Sequence, residues 1–140
     1  MIYLDTSVLA AIFFREANAG ALVGWMESVR DQRLMISAWT LTEMASAGGI
    51  KRRTGAVDMA TGELALVAFQ RFASAKLRLV EIEPGDFRTA AVLIATPAAL
   101  RAGDALHLAV ARRLNARLAS TDRRLCEAAD LLGIGRVDVA

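Results

Sequence analysis

Short apolar runs alternate along the chain with longer segments of helical period. The runs are Ile2-Tyr3-Leu4, Leu34-Met35-Ile36, Leu79-Val80-Glu81-Ile82, Arg117-Leu118-Ala119 and Val137-Asp138-Val139. Each has the length and sharp flanks of a strand, with Arg117-Leu118-Ala119 the weakest by propensity. Between them, Leu22, Trp25, Met26 and Val29 form one stripe, Leu64, Val67, Ala68 and Phe72 a second, and Leu106, Ala109, Val110 and Arg113 a third. Spacing near 3.6 places each set on one helix face. Another helix is predicted from about Ala38 to Arg52. Strands separated by helices pair in parallel through right-handed crossovers. The pattern therefore predicts a three-layer α/β/α domain around a short parallel sheet of four to five strands.

Composition narrows this reading. A length of 140 residues suits one domain, so residues 1–140 are expected to fold as a unit. Apolar residues make up 55% of the chain. Alanine accounts for 28 positions. About 35% is therefore bulkier apolar residues, outside disordered composition. The lone Cys126 excludes an intramolecular disulfide and a multi-cysteine zinc site. The longest apolar run, Val8 to Phe14, has seven residues, against about 20 for a spanning helix. The N-terminus also lacks a signal-peptide pattern, so the expected location is the cytoplasm, with no membrane partner.

Candidate chemistry lies in four acids. Ligands of an open parallel sheet gather beyond the carboxyl ends of its strands. Asp5 directly follows Ile2-Tyr3-Leu4, and Asp122 follows the segment from Arg117 to Thr121. Each can equally be a helix N-cap, because Asp ahead of a helix accepts bonds from its first amides. Asp104, in Gly103-Asp104-Ala105-Leu106, shares that ambiguity. Glu43 differs: it falls inside a predicted helix, with Trp39, Ser46, Ala47 and Ile50 on its face. A carboxylate buried there costs several kcal/mol unless paired or metal-bound, whereas a partly exposed one costs little.

If Asp5, Glu43, Asp104 and Asp122 converge, they form an oxygen-rich site. Two carboxylates about 5 Å apart repel by about 3 kcal/mol at an effective dielectric of about 20. Mg²⁺ or Mn²⁺ relieves that repulsion and prefers oxygen ligands. Such a site activates water and steadies the charge on a phosphate under in-line attack. Phosphodiester hydrolysis is the expected chemistry.

Four segments in order carry a resemblance: Ile2-Tyr3-Leu4-Asp5-Thr6-Ser7, Leu41-Thr42-Glu43-Met44, Gly103-Asp104-Ala105-Leu106-His107-Leu108-Ala109 and Ser120-Thr121-Asp122-Arg123-Arg124-Leu125. Together they resemble the PIN-domain family, and within it the VapC-type toxins of bacterial toxin-antitoxin pairs. The resemblance implies an RNA-cleaving enzyme that uses Mg²⁺ or Mn²⁺. It also implies a homodimer held inactive by a cognate antitoxin. By position, Asp5, Glu43, Asp104 and Asp122 would be the catalytic and metal-binding acids. Asp5 and Asp104 would be direct ligands, and Asp122 would bind a second ion or act through water. Thr6 and Thr121 match positions whose hydroxyls support the acids or a metal-bound water.

His107 is expected as a core histidine bonded to backbone. Arg123 and Arg124, directly after Asp122, are candidate contacts to the RNA backbone. A rival function is a non-catalytic RNA- or protein-binding module of the same fold. Another is a phospho-receiver with Asp58 as acceptor, which lacks an early acidic pair and a strand before Asp58. A haloacid-dehalogenase-type phosphatase needs an acid where Ser7 stands.

Charge enters last. There are 17 Lys and Arg against 15 Asp and Glu, a net of +2 that identifies no partner. Taking the four candidate acids from 15 leaves 11 acidic against 17 basic groups. That balance suits a polyanion whose affinity falls as salt rises.

Overall fold

The computed structural model describes residues 1–139. The elements run β1 (Ile2–Leu4), α1 (Thr6–Phe13), α2 (Ala19–Ser28), β2 (Leu34–Ser37), α3 (Ala38–Arg53), α4 (Met59–Lys76), β3 (Arg78–Val80), α5 (Pro84–Ile94), α6 (Ala102–Arg113), β4 (Arg117–Ala119) and α7 (Arg123–Leu131). The strands form one sheet in the order β3-β2-β1-β4, parallel throughout. Ile2 pairs with Leu34 on one side and Arg117 on the other.

The period of two along each strand divides the core between two faces. Tyr3, Met35 and Leu118 point to one side and pack with α5, α6 and α7. Ile2, Leu4, Ile36 and Ala119 point to the other, toward α1, α3 and α4. The α/β/α layering predicted from the pattern is thus present, with four strands. Among the described residues Val137–Val139 adds no fifth, and beyond β4 there is only an isolated bridge from Leu118 to Arg136. Asp138, charged and nearly fully exposed, interrupts that run and pairs with Arg136.

Two helices depart from expectation. On α4 the packed residues are Ala65, Leu66, Phe69, Phe72 and Ala73, while Leu64 is 71% exposed. Alanines on both faces blur the apolar stripe, so the contact with α3 and not the periodicity decides its rotation. On α6 every residue from Ala105 to Ala111 is buried, as for a helix enclosed on all sides. That helix starts at Ala102, so Asp104 lies within its first turn and is not its cap. No helix among the described residues is long and apolar enough to cross a membrane.

The chain builds outward from β1 through β2 to β3, then returns to place β4 on β1's other side. This reversal is a topological switch point, and Asp5 stands at its carboxyl end.

Candidate active site

Asp5 is 4% exposed and is gripped at both oxygens. Ser7 donates to Oδ1 through its hydroxyl at 2.6 Å and its backbone N–H at 3.1 Å, and Ser120 Oγ donates to Oδ2 at 2.9 Å. Burial pushes the Asp5 carboxyl above its ordinary range, opposed by Ser7, the His107 ring and Ser120. The Ser7 bond also caps α1. Capping and a place at the switch point therefore coincide in one residue.

Glu43 projects from α3 and is neither fully buried nor free. Thr6 Oγ1 donates to its Oε1 at 2.7 Å, and His107 Nε2 contacts the same oxygen. Burial acts to raise this carboxyl, but the His107 bond and charge and the Thr6 bond outweigh it, so its pKa lies below the ordinary value. The other oxygen, Oε2, faces the start of α6. A β-carbon on Gly103 would lie 3.3 Å from it and 3.3 Å from the Trp39 indole. Glycine at this position permits α6 to approach α3.

Asp104 and Asp122 complete the acidic edge. Asp122 caps α7, its Oδ1 accepting from the amides of Arg124 at 2.9 Å and Leu125 at 3.3 Å. Asp104 has one distant cation, Arg101, with Nε 3.8 Å from Oδ2. Its pKa is raised by burial first and by the charge of Asp122 second, and Glu43 adds to it. The three acids therefore sense one another. Among the described residues, Glu43 Oε2, the second Asp122 oxygen and both Asp104 oxygens accept no hydrogen bond. No three His, Cys, Asp or Glu side chains among the described residues stand close enough, as placed, to hold a metal ion.

The supporting residues are distributed as follows. Thr6 contacts Glu43 through its hydroxyl, whereas Thr121 enters through its backbone N–H, which donates to Ser7 Oγ at 2.9 Å. Ser120 Oγ additionally accepts from Asp122 N–H at 2.9 Å, tying two acids together. Arg123 is exposed and turned to Glu127, four residues on, at 2.8 Å; Arg124 is exposed beside it. Asp58 caps α4 on the surface, away from any strand end, which leaves no place for a receiver aspartate there.

His107 departs from the core-histidine reading. It is 2% exposed, yet its ring nitrogens meet Tyr3 and Glu43 side chains and not backbone. Tyr3, Ser7 and Ser120 lie inside the motif segments without a role predicted for them, and Ser37 and Arg101 lie outside those segments. Ser37 and Ser120 carried a usable signal, since each is a polar residue closing or directly following an apolar strand.

Sequence and structural comparison give the family and the fold. The PIN domain profile matches residues 2–131. The chain belongs to the PIN-domain family. Ribonuclease VapC35 of Mycobacterium tuberculosis is 31% identical over 142 aligned positions, covering 98% of this chain and 96% of the relative. Among solved structures, the Mycobacterium tuberculosis toxin VapC20, described as cleaving the sarcin-ricin loop, superposes with a TM-score of 0.71 at 21% identity. That match covers 91% of this chain and 95% of the other. FitAcB from Neisseria gonorrhoeae superposes with a TM-score of 0.67 at 19% identity, covering 99% and 97%. At these identities the two structures establish the shared PIN fold.

Proposed function

We propose that this PIN-domain protein is a metal-dependent endoribonuclease, the toxin of a toxin-antitoxin pair, acting in the cytoplasm as a homodimer. The likeness to Ribonuclease VapC35 along nearly the whole chain supports the substrate class. One observation carries the chemistry: Asp104, raised by burial first, is raised further by the charges of Asp122 and Glu43, and among the described residues all three acids keep oxygens without a hydrogen bond that a cation could draw together. An all-oxygen donor set with uncompensated negative charge fits a hard cation such as Mg²⁺ or Mn²⁺.

Asp5, Asp104 and the free oxygens of Glu43 and Asp122 would hold the ion. Bound there, it supplies an activated water and neutralises charge on the scissile phosphate. The chain does the rest. Ser7 and Ser120 hold Asp5 in one orientation, and Thr6 does the same for Glu43. The first amides of α7 donate to Asp122 Oδ1, where the helix dipole favours negative charge. Arg124 and Arg101, both exposed, would contact the RNA backbone, as would Arg123 once released from Glu127.

Purified protein incubated with mixed cellular RNA is expected to cleave it with Mg²⁺ or Mn²⁺ and to stop with EDTA. Asp5→Asn and Asp104→Asn should each abolish cleavage while thermal unfolding stays cooperative. Cleavage that persists in EDTA and in both variants overturns the reading. No metal binding by calorimetry, with RNA affinity unchanged by Asp5→Asn, would instead identify a binding module.

A further inference from the structure

We infer that His107 is a positioning residue for Glu43, held by the buried Tyr3 hydroxyl, so that a Tyr3-His107-Glu43 chain selects which Glu43 oxygen faces the cleft. The inference rests on the nuclease reading for its activity arm and on geometry alone for its spectroscopic arm.

Sequence places the chain's lone tyrosine in an otherwise aliphatic strand and its lone histidine in an enclosed helix. Strand alternation turns Tyr3 toward α6, where His107 lies 104 residues later. Tyr3 is 0% and His107 2% exposed. The Tyr3 hydroxyl lies 2.7 Å from His107 Nδ1 and 2.8 Å from Ser37 Oγ, and His107 Nε2 contacts Glu43 Oε1. Phe and Leu would fill these volumes without desolvating three polar groups. A buried polar chain spanning β1, β2, α3 and α6 is useful for rigidity and orientation, provided that every member is bonded.

Proton positions follow from the acceptor at the end. Glu43 ionised only accepts, so Nε2 carries a proton. With neutral His107, Ser37 donates to Tyr3, Tyr3 to Nδ1, and Nε2–H to Glu43. With His107 protonated, Nδ1–H donates to Tyr3 and Tyr3 to Ser37. Either way Nε2–H points at Oε1, so the orientation does not depend on the charge of the ring. Thr6 occupies the same oxygen, which leaves Oε2 as the one turned to Gly103 and the Asp104 turn. Without His107, Thr6 alone would restrain the carboxylate, and Glu43 would rotate among its side-chain conformers.

The test uses His107→Leu, His107→Gln, Tyr3→Phe and the Tyr3→Phe/His107→Leu double variant. Gln can place an amide N–H near Nε2; Leu cannot. His107→Leu should lower kcat for RNA about 10- to 100-fold, with KM little changed and weaker Mn²⁺ binding by calorimetry. His107→Gln should recover most of the rate. Tyr3→Phe should cost several-fold alone and nothing further in the His107→Leu background, because its effect runs through the ring. Nitrogen-15 spectra of the metal-free protein should show a proton on Nε2 whose shift changes in Glu43→Gln.

Multiplying Tyr3→Phe and His107→Leu losses, or equal rates for wild type and His107→Leu, overturns the inference. So does a His107→Gln variant no better than His107→Leu. If His107→Leu does not fold, His107→Gln and Tyr3→Phe decide. If the wild-type protein cleaves no RNA, the nuclease reading fails separately. The imidazole spectrum then decides, and insensitivity of Nε2 to Glu43→Gln overturns the inference.

Discussion

Ser120 Oγ donates to Asp5 Oδ2 at 2.9 Å, joining residues 115 positions apart. The same hydroxyl accepts from Asp122 N–H at 2.9 Å. Parallel pairing of β1 with β4 sets Leu4 beside Ala119, so their next residues emerge together at the carboxyl edge. One small side chain thereby fixes the side chain of one candidate catalytic acid and the backbone of another.

Ser120→Ala removes that link without adding bulk. A nearly buried carboxylate then loses a donor, which costs about 1–3 kcal/mol, and Asp5 becomes freer to turn. We expect lower stability in urea unfolding and RNA cleavage reduced about tenfold or more. Wild-type values in both measurements would show that Ser7 alone suffices to hold Asp5.

Gly103→Ala separates activity from stability. Alanine favours helix over glycine by up to about 1 kcal/mol, so α6 itself should not weaken. Its β-carbon, however, would meet Glu43 Oε2 and the Trp39 ring at 3.3 Å. Either neighbour must yield by a few tenths of an ångström, and displacements of about 1 Å in a catalytic group can cost about 100-fold. Cleavage should fall with the melting temperature held or raised; unchanged cleavage would mean that the Trp39 ring yields and Glu43 keeps its place.

The candidate acids stand out in the sequence because of their surroundings. Asp5 follows an apolar run directly, and Glu43 interrupts a helix face of small and apolar residues. What local pattern conceals is partnership. Tyr3 and His107 meet only because strand register and helix rotation bring residues 104 apart together. Alanine contributes to the same difficulty: it fits either face of a helix, so α4 turned Leu64 outward despite its apparent stripe. Val137 and Val139 have strand propensity, but Asp138 between them is solvated and bound to Arg136.

Asp104→Asn should have opposite effects on activity and on stability without metal. Its carboxyl is raised by burial and by the charges of Asp122 and Glu43, opposed by Arg101 at 3.8 Å and by the His107 ring. Removing one of these like charges relieves repulsion of about 0.2–1 kcal/mol at a partly buried site. In EDTA at low salt the variant should melt slightly above wild type while cleaving no RNA. Raising the salt should narrow the difference, since screening weakens the repulsion that Asn removes. A variant less stable than wild type under both conditions would mean that Asp104 makes a favourable contact in the metal-free protein.

Away from the acidic edge, Arg113 on α6 clamps the start of α5. Its Nε and Nη2 donate to the two Asp86 oxygens at 2.8 and 2.9 Å, and Glu83 N–H donates to Asp86 Oδ2 at 2.8 Å. Burial acts to raise the Asp86 carboxyl, but these bonds and the Arg113 charge outweigh it and hold its pKa below the usual range. A pKa depressed by folding contributes stability above the unfolded value of about 3.9. That contribution is lost as pH falls through the folded value. Wild type should therefore lose melting temperature between about pH 5 and pH 3 more steeply than Asp86→Asn, which has no carboxylate to protonate there. Arg113→Met leaves a nearly buried carboxylate unpaired and should cost about 3 kcal/mol at pH 7. That penalty should shrink on acidification, because the stranded Asp86 takes up a proton more readily than the paired one. Parallel pH profiles for wild type, Asp86→Asn and Arg113→Met would show that the clamp carries no charge-linked stability.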